Sequence, residues 1–339
     1  MITKIDIKTF MELARTAGSI VLDTRSPKEY AQGHIPQAVN LPLLDDQQRH
    51  QVGICYKEKG QEAAVELGFE LVGPFFSQKI KEAKKLAQTR KVLIYCWRGG
   101  LRSNIMAWLL STAGFEVLLL TSGYKGYRGL VLETLRQQRR FLVITGKTGS
   151  GKTELLKNLE QAGEHILDLE GLASHKGSSF GSLGQTFQTT QEHFENTITE
   201  ILDPIPNDHS VFVEDESRRI GKLLVPDGIF NQIITAPCVE LEIDSDVRQK
   251  RILEEYGGFD KSLLHERTLA LARRMGPEKC KEAIEALSAD NYAHWSAMMI
   301  DYYDKSYRYS FEKNPRTILF TVNSSGQEGV KAINEGLKL

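Results

Sequence analysis

The sequence predicts an α/β protein with two parallel-sheet domains, and three observations support this prediction. Short apolar runs alternate with helical stretches through residues 1–130, which is the pattern of a small, mainly parallel sheet. A second alternation begins after the polar and basic stretch Gln137–Arg140. The chain of 339 residues also exceeds the ~100–200 residues of a typical domain. We therefore predict a first domain over residues 1–135 and a second over residues 136–339, which includes a helical C-terminal region.

The composition indicates a globular protein that is not inserted in a membrane. Hydrophobic residues make up 41% of the chain, and the formal net charge of −1 argues neither for nor against nucleic acid as a partner. Any contact with nucleic acid must therefore use local basic patches. The N-terminus lacks the apolar core of a signal peptide, and no apolar run approaches the ~18–20 residues of a transmembrane helix. We expect a cytoplasmic protein without a membrane partner.

In the first domain, strands and helices follow one another in short segments. Ser26 precedes Pro27 at the start of one helix, where a serine can cap the helix and a proline fits the first turn. Val92–Tyr95 is a continuous apolar run that is typical of a buried strand. The other predicted helices span Phe10–Ala17 and Gln78–Gln88, and the other predicted strands span Ser19–Asp23, Ala38–Leu41 and Glu116–Leu120.

Cys96 directly follows the strand Val92–Tyr95 and precedes a loop that contains the pair Gly99–Gly100. Arg98 and Arg102 flank this pair, and a buried helix begins shortly after it. Such a loop can point backbone N–H groups inward as an anion cradle, and a helix N-terminus with arginines favours the thiolate form of a cysteine. The pattern predicts a nucleophilic cysteine that handles an anionic sulfur, selenium or phosphorus group. The alternative is a buried structural cysteine.

The other three cysteines show no comparable setting. Cys55, Cys238 and Cys280 are far apart in the sequence and form no CxxC pair, which disfavours a zinc site and a disulfide framework. We expect free thiols at all of these positions.

The second domain begins with the pattern G-x-x-x-x-G-K-T between a strand and a helix. The strand is Phe141–Thr145 and the helix is Glu154–Ala162. Glycines in this position let backbone N–H groups surround a phosphate, Lys152 reaches the terminal phosphates, and Thr153 can bind Mg²⁺. The pattern predicts a P-loop with phosphate contacts from Gly146, Gly149, Ser150, Gly151, Lys152 and Thr153.

Acidic residues end a later strand of this domain, Val211–Ser217. Such a strand in a P-loop domain often supplies a carboxylate near the metal, so Glu214 and Asp215 are the candidate metal-supporting acids. The alternative is a solvated acidic strand end. The remaining chain predicts a strand over Pro237–Ile243, helices from Asp246 to about Tyr309, a last strand over Thr317–Val322 and a closing helix over Gly326–Leu339. Basic residues in those helices are typical of a solvated face, and the spacing of their aromatic residues is typical of packing.

The first domain resembles the rhodanese fold. Asp23–Tyr30 and Gly33–Pro42 look like the upstream rhodanese signature, Cys96 occupies the catalytic position, and Ser122–Tyr127 resembles the closing glycine–aromatic motif. Common single-domain rhodaneses place an arginine five residues after the cysteine, whereas Arg102 follows six residues after it. Related phosphatases of the same fold share the longer loop, so loop length leaves sulfur transfer and phosphate-ester chemistry open.

Nearly the whole chain resembles the bacterial tRNA 2-selenouridine synthase family. YCWRGGLRS, SGYKGYR, TGKTGSGKTELL, DLEGLASHKGSSFG and EDESRRIG carry the resemblance from Asp23 to at least Gly221. The departures are Lys176 where arginine is expected and Leu101 where methionine is expected. The resemblance implies a transferase that converts wobble 2-thiouridine in the tRNA anticodon stem-loop to 2-selenouridine with selenophosphate. It also implies geranylation of the sulfur by geranyl diphosphate, with S-geranyl-2-thiouridine as the intermediate.

That resemblance suggests a role for each motif. The P-loop would bind the diphosphate of geranyl diphosphate, Mg²⁺ supported by Glu214 or Asp215 would neutralise the leaving charge, and no ATP hydrolysis is expected. Cys96 would take selenium as a perselenide or act directly at C2 of the base, while Arg98 and Arg102 hold the selenophosphate oxyanion. Candidate contacts to tRNA or diphosphate are His175, Lys176, Ser178, Ser179, Arg218 and Arg219.

The expected macromolecular partner is tRNA, and an enzyme that supplies selenophosphate is a further candidate partner. Two other classes of function stay open from the residues. One is a P-loop kinase or ATPase with a sulfurtransferase domain as its regulator. The other is a non-enzymatic sulfur carrier or redox sensor, which would leave the intact P-loop idle.

Overall fold

A computed structural model describes residues 1–16, 18–184, 187–313 and 316–337. The chain divides into two compact units: Met1–Thr134 with Glu195–Thr197, and Leu135–Phe194 with Ile198–Leu339. Each unit contains a five-stranded sheet in which every pair of neighbouring strands is parallel. The predicted α/β fold class is therefore confirmed.

The sheet of the first unit has the strand order β1-β5-β4-β2-β3. Its strands are β1 (Ile2–Ile5), β2 (Ile20–Asp23), β3 (Val39–Asn40), β4 (Lys91–Tyr95) and β5 (Glu116–Leu120). Its helices are α1 (Ile7–Ala14), α2 (Pro27–Gln32), α3 (Asp46–Val72), α4 (Phe76–Leu86), α5 (Leu101–Thr112) and α6 (Gly123–Thr134), with a 3₁₀ turn at Gly73–Phe75.

Strand β4 lies at the centre of this sheet, between β5 and β2. Its residues from Val92 to Tyr95 are fully buried, because helices cover both faces of a parallel sheet and both sets of side chains enter a core. Parallel strands end at the same edge, so the end of β2 at Asp23 lies beside the end of β4 at Tyr95. The loop that contains Cys96 therefore starts at the middle of that edge.

The sheet of the second unit has the strand order β12-β11-β6-β8-β7. Its strands are β6 (Arg140–Thr145), β7 (His165–Leu167), β8 (Ser210–Glu214), β11 (Cys238–Leu241) and β12 (Ile318–Val322), and β9 (Arg219–Ile220) forms a separate antiparallel pair with β10 (Leu223–Leu224). The helices that follow β6 are α7 (Lys152–Gln161), α8 (Leu169–Ala173), α9 (Gln191–Leu202), α10 (Asp227–Ile233), α11 (Ser245–Tyr256), α12 (Lys261–Leu269), α13 (Ala272–Met275), α14 (Pro277–Ser288), α15 (Tyr292–Lys313) and α16 (Gln327–Leu337).

This strand order positions the phosphate-binding loop. Strand β6 is central and ends at Thr145, one residue before Gly146. Strand β8 lies beside it and ends at Glu214, and β7 lies on the far side of β8. The loops after β6, β7 and β8 consequently meet at one edge of the sheet, which is where ligands bind in open α/β folds.

The helices α11 to α15 pack around a second core in the same unit. Trp295 is 1% exposed, packs edge-to-face against Phe180, and donates its indole N–H to the Thr268 hydroxyl over 3.1 Å. The predicted helical region is confirmed, and this aromatic residue serves packing as expected.

Most element boundaries differ from the prediction by one to three residues. The first helix ends at Ala14 rather than at Ala17, which lies outside the described residues, as do Lys338 and Leu339 at the chain end. In the described part of the chain, none of the helices has the length and apolar character needed to cross a bilayer.

Candidate active site

The Cys96 loop is held by close backbone packing against the turn at Ser122–Gly123. The Tyr124 N–H donates to the Cys96 carbonyl over 2.8 Å, and the Lys125 N–H donates to the Trp97 carbonyl over 2.9 Å. Gly123 has φ +59°, and a Cβ there would lie 2.6 Å from the Cys96 carbonyl oxygen. The glycine–aromatic motif therefore belongs beside the cysteine loop because only glycine permits this approach.

The thiol of Cys96 is nearly buried and has a polar neighbour. The residue is 3% exposed, and the Ser103 hydroxyl lies 3.1 Å from Sγ and 3.1 Å from the Gly100 carbonyl oxygen. The hydroxyl of Ser103, on the first turn of α5, can donate to a thiolate. Sequence reasoning missed Ser103, although its position on that turn places it near the loop.

The two arginines of this loop differ in their surroundings. Arg98 is exposed, whereas Arg102 donates to both carboxylate oxygens of Glu29, at 2.5 and 3.1 Å. Burial raises the pKa of Glu29, but the hydrogen bonds and charge of Arg102 outweigh it and the net pKa lies below the ordinary value. An anion that binds Arg102 must therefore compete with Glu29.

Two residues of the upstream signature form a buried ion pair. Arg25 is 1% exposed and Asp23 is fully buried; the guanidinium donates to both carboxylate oxygens and to the Gly33 carbonyl oxygen. Its carbon also lies 3.8 Å from the ring centroid of Tyr124, a cation–π contact. Asp23 and Arg25 hold the loop after β2 in place and leave no free charge for a ligand.

In the second unit, the P-loop takes the backbone form that the motif predicts. Gly149 and Gly151 have φ +78° and +92°, and α7 begins at Lys152 directly after them. A Cβ at Gly149 would lie 2.9 Å from the Arg248 carbonyl oxygen. The Lys152 ammonium donates to the Gly146 carbonyl over 3.0 Å, so the lysine lies folded over its own loop.

Two arginines on α11 donate hydrogen bonds to backbone carbonyls of the P-loop. Arg248 is 4% exposed, donates to the Thr148 carbonyl over 3.0 Å, and forms a two-point ion pair with Asp304. Arg251 donates to the Ser150 carbonyl and to the Ser325 hydroxyl. The charge pattern of the sequence predicted a solvated helix face for these basic residues, and that prediction is wrong for both, because each one bonds to atoms inside the unit.

Carboxylates converge beside the P-loop, and the set differs from the predicted pair. Glu170, Glu214 and Glu216 offer oxygen atoms that all lie within 4.8 Å of one another. Burial together with the charges of neighbouring carboxylates raises the pKa of each one. Asp215 faces a different partner: it accepts from the Thr145 hydroxyl over 2.9 Å and forms an ion pair with Arg316.

These groups line one cleft of about 1460 Å³ within the second unit. The cleft brings together most of the predicted phosphate, acid and loop residues, namely Gly146, Gly149, Gly151, Lys152, Thr153, His175, Lys176, Ser178, Ser179, Glu214, Asp215, Arg218 and Arg219. Ser150, which belongs to the same loop, does not line the cleft because it is 1% exposed. Two of the cationic residues are already paired, Lys176 with Glu255 and Arg218 with Asp227.

One wall of the cleft is apolar and aromatic. Phe230 from α10, Ile234 directly after α10, and Tyr303 and Tyr307 from α15 are half-buried and line it. The hydroxyls of both tyrosines bond to the protein: Tyr303 accepts from the Ser179 N–H over 3.3 Å, and Tyr307 lies 3.2 Å from the Thr145 hydroxyl. Because of burial first of all, the pKa of each tyrosine rises to about 12. Sequence reasoning could not locate this wall.

The fold and the two loops define a class of protein: a rhodanese-like domain with a cysteine loop, followed by a P-loop domain. Residues 6–130 match the family described as Rhodanese-like domain, and residues 139–268 match the family described as tRNA 2-selenouridine synthase AAA domain. The chain belongs to the tRNA 2-selenouridine synthase family. Proteins of that name from Bordetella petrii, Cupriavidus pinatubonensis and Psychromonas ingrahamii are 37%, 35% and 33% identical to it. Their alignments cover 88%, 90% and 88% of this chain and 89%, 92% and 90% of the relatives.

Proposed function

We propose that this chain converts wobble 2-thiouridine in tRNA to 2-selenouridine, in two steps that use geranyl diphosphate and then selenophosphate. The observation that carries the proposal is a single cleft that combines a P-loop, a cluster of carboxylates and an aromatic wall. A diphosphate, a cation and a hydrocarbon chain each have a suitable surface there. The printed names of the relatives, tRNA 2-selenouridine synthase, support the tRNA substrate and the selenium product.

In the first step, the thiocarbonyl sulfur of the base attacks C1 of the geranyl group. The C1–O bond breaks, diphosphate leaves, and the base loses its N3 proton. The backbone N–H groups of the P-loop and the Lys152 ammonium hold the diphosphate and stabilise its growing charge. Thr153 and Glu214 are suitable ligands for Mg²⁺, which when bound adds positive charge beside the leaving group. P-loop contacts to a diphosphate need no nucleoside, so ATP hydrolysis is not required.

The aromatic wall suits the geranyl chain. Since the hydroxyls of Tyr303 and Tyr307 bond to protein atoms, the rings are the parts of these residues that remain for contact with a hydrocarbon chain. Tyr307 touches Thr145, the residue immediately before Gly146, so the wall starts next to the P-loop. Ring faces also favour the partial positive charge that develops on an allylic carbon as diphosphate leaves.

In the second step, Cys96 acts at C2 of the S-geranylated base. Its thiolate adds to C2 and geranylthiol leaves with a proton; the selenium of selenophosphate then displaces Cys96, and water releases phosphate from selenium. Alkylated sulfur is a better leaving group than a thiocarbonyl, which is why geranylation comes first. The Ser103 hydroxyl, 3.1 Å from Sγ, is placed to donate a hydrogen bond to the attacking sulfur. Arg98 supplies an exposed cation for selenophosphate, and Arg102 would do so by leaving Glu29.

For tRNA contacts, we propose the polar loop at residues 175–179 and the arginines after β8. His175, Lys176 and Arg218 line the cleft, and phosphate contacts by such residues weaken as salt concentration rises. The wobble base would be unstacked from the anticodon loop to reach the reacting groups, as in most recognition of single-stranded RNA.

The test is mass spectrometry of tRNA nucleosides after incubation with thiolated tRNA, geranyl diphosphate and selenophosphate. Wild-type protein should form 2-selenouridine through S-geranyl-2-thiouridine. Cys96→Ala should accumulate the geranylated nucleoside, Lys152→Ala should lose geranylation, and Cys55→Ala, a control at a half-buried thiol, should behave like wild type. An ATP hydrolysis rate comparable to turnover on thiolated tRNA would instead support the P-loop kinase or ATPase alternative. Full selenation by Cys96→Ala would refute the nucleophile.

A further inference from the structure

The cluster of Glu170, Glu214 and Glu216 contains two carboxylates that the steps above leave unused. They come from separate places: Glu170 lies on α8 after β7, Glu214 ends β8, and Glu216 follows two residues later. All three line the cleft, and their oxygens lie within 4.8 Å of one another. Carboxylates at such distances repel strongly unless positive charge compensates them.

The protein supplies little of that positive charge. Lys152 acts on all three carboxylates, and its ammonium also donates to the Gly146 carbonyl; Lys157 acts on Glu214. Two ammonium groups therefore face three acids, and one of them acts on Glu214 alone. The nearby Asp215 shows the contrast, because its two oxygens are occupied by Arg316 and by the Thr145 hydroxyl.

A second observation points to a ligand. Glu214 is 2% exposed, and its Oε1 atom has no hydrogen-bond partner among the residues that the structure describes. A buried acceptor without a partner is costly, and buried polar groups in native proteins are nearly always satisfied by protein, water or an ion. This oxygen without a partner belongs to a residue of the cluster, so the cluster has an acceptor to offer a ligand.

We propose that Glu170, Glu214 and Glu216 together bind one divalent cation beside the P-loop, and that Asp215 is not a ligand. Oxygen ligands suit hard cations, and oxygens on one Mg²⁺ at about 2.0–2.1 Å lie roughly 3–4 Å apart, so a small closure of the cluster is sufficient. Gly177, with φ +61°, covers the cluster; a Cβ there would overlap Glu170 Oε1 and lie 2.9 Å from Glu216 Oε2. The role of this cation in diphosphate release rests on the proposed function, but its binding does not.

The experiment measures Mn²⁺ binding by electron paramagnetic resonance on the full chain without tRNA or diphosphate. Wild-type protein should bind one Mn²⁺ that Mg²⁺ displaces. Glu170→Gln and Glu216→Gln should each weaken binding at least 10-fold, since each keeps the shape and removes one charged ligand. Glu254→Gln is the matched control, because Glu254 also lines the cleft but lies outside the cluster; it should bind as wild type does.

Thermal unfolding with and without Mn²⁺ checks that the variants fold. Removing one of three mutually repelling charges should leave the metal-free variants at least as stable as wild type, while the stabilisation by Mn²⁺ is lost. Failure of wild type to bind, unchanged binding in both cluster variants, or equal loss in the control would overturn the inference. Normal Mn²⁺ binding without any geranylation would count against the proposed function alone.

Discussion

The ion pair between Arg248 and Asp304 offers the sharpest test of how the P-loop is supported. Arg248 is 4% exposed and Asp304 is 22% exposed, and two hydrogen bonds of 2.8 and 2.7 Å join them. Arg248 also donates to the Thr148 carbonyl in the P-loop. We predict that Asp304→Ala strongly destabilises the second unit, because it leaves the guanidinium buried without its counter-charge.

The expected loss follows from that burial. Removing one partner of a buried ion pair costs about 3–5 kcal/mol, and the partial exposure of Asp304 places the loss near about 3 kcal/mol. With a denaturant slope of about 3 kcal/mol per M for a unit of this size, the urea midpoint should fall by about 1 M. The pair Lys250–Glu254 on the same helix is 77% and 65% exposed, so Glu254→Ala should cost only about 0.5 kcal/mol or less.

The assay is urea unfolding followed by Trp295 fluorescence. The chain has three tryptophans, and Trp97→Phe with Trp108→Phe leaves Trp295 in the second unit as the only reporter. Replacing both partners, as Arg248→Met with Asp304→Leu, should restore most of the lost stability because no buried charge then remains. The prediction is wrong if Asp304→Ala shifts the urea midpoint no more than Glu254→Ala does. It is also wrong if the double replacement is as unstable as Asp304→Ala.

Three further predictions concern the two loops and the aromatic wall. Because the pKa of Glu29 is lowered in the folded state, its pairing with Arg102 stabilises the fold above about pH 4.3, and this stabilisation is lost as pH falls through the folded pKa. The difference in melting temperature between wild type and Glu29→Gln should therefore disappear in acid. A difference that stays constant with pH would contradict this prediction. Gly149→Ala should cost about 1–2 kcal/mol for φ +78° alone, and calorimetry with inorganic diphosphate should show weakened binding; unchanged affinity would refute the tight approach to Arg248. Phe230→Ala should raise the KM for geranyl diphosphate roughly 5- to 30-fold through about 1–2 kcal/mol of lost apolar contact, with inorganic diphosphate binding unchanged. An equal loss of affinity for geranyl diphosphate and for inorganic diphosphate would show that the geranyl group does not contact Phe230.

The phosphate-binding loop could be predicted from the sequence because its signal is local. The apolar strand β6, the glycines and Lys152 are contiguous, and each demand on the backbone is met within a few residues. The same is true of Cys96, which follows a strand that is apolar from Val92 onward because both its faces are buried. Patterns of this kind can be recognised in the sequence because the residues that define them are contiguous.

The supports of the loop could not be predicted for the opposite reason. Arg248 bonds to the Thr148 carbonyl, 100 residues away in sequence, and to Asp304, 56 residues away. On α11, Arg248 lies on the buried face with Ile252 and Tyr256, four and eight residues later, whereas the exposed Lys250 lies on the opposite side. This spacing was a signal that Arg248 faces inward, but its partners depend on how α11 packs against α15 and the P-loop, which a charge pattern along the sequence does not contain.

The position of Asp215 outside the carboxylate cluster has a simple geometric cause. Side chains alternate between the two sides of an extended chain, so Glu214 and Glu216 share one side while Asp215 points to the other, where Arg316 and Thr145 bind it. Glu170 follows another strand, β7, and it reaches the cluster because β7 lies next to β8 in the sheet. Alternation predicts a pair of carboxylates, and strand order adds the third. The candidate cation site is therefore a product of topology, assembled at the edge where the ends of β6, β7 and β8 meet.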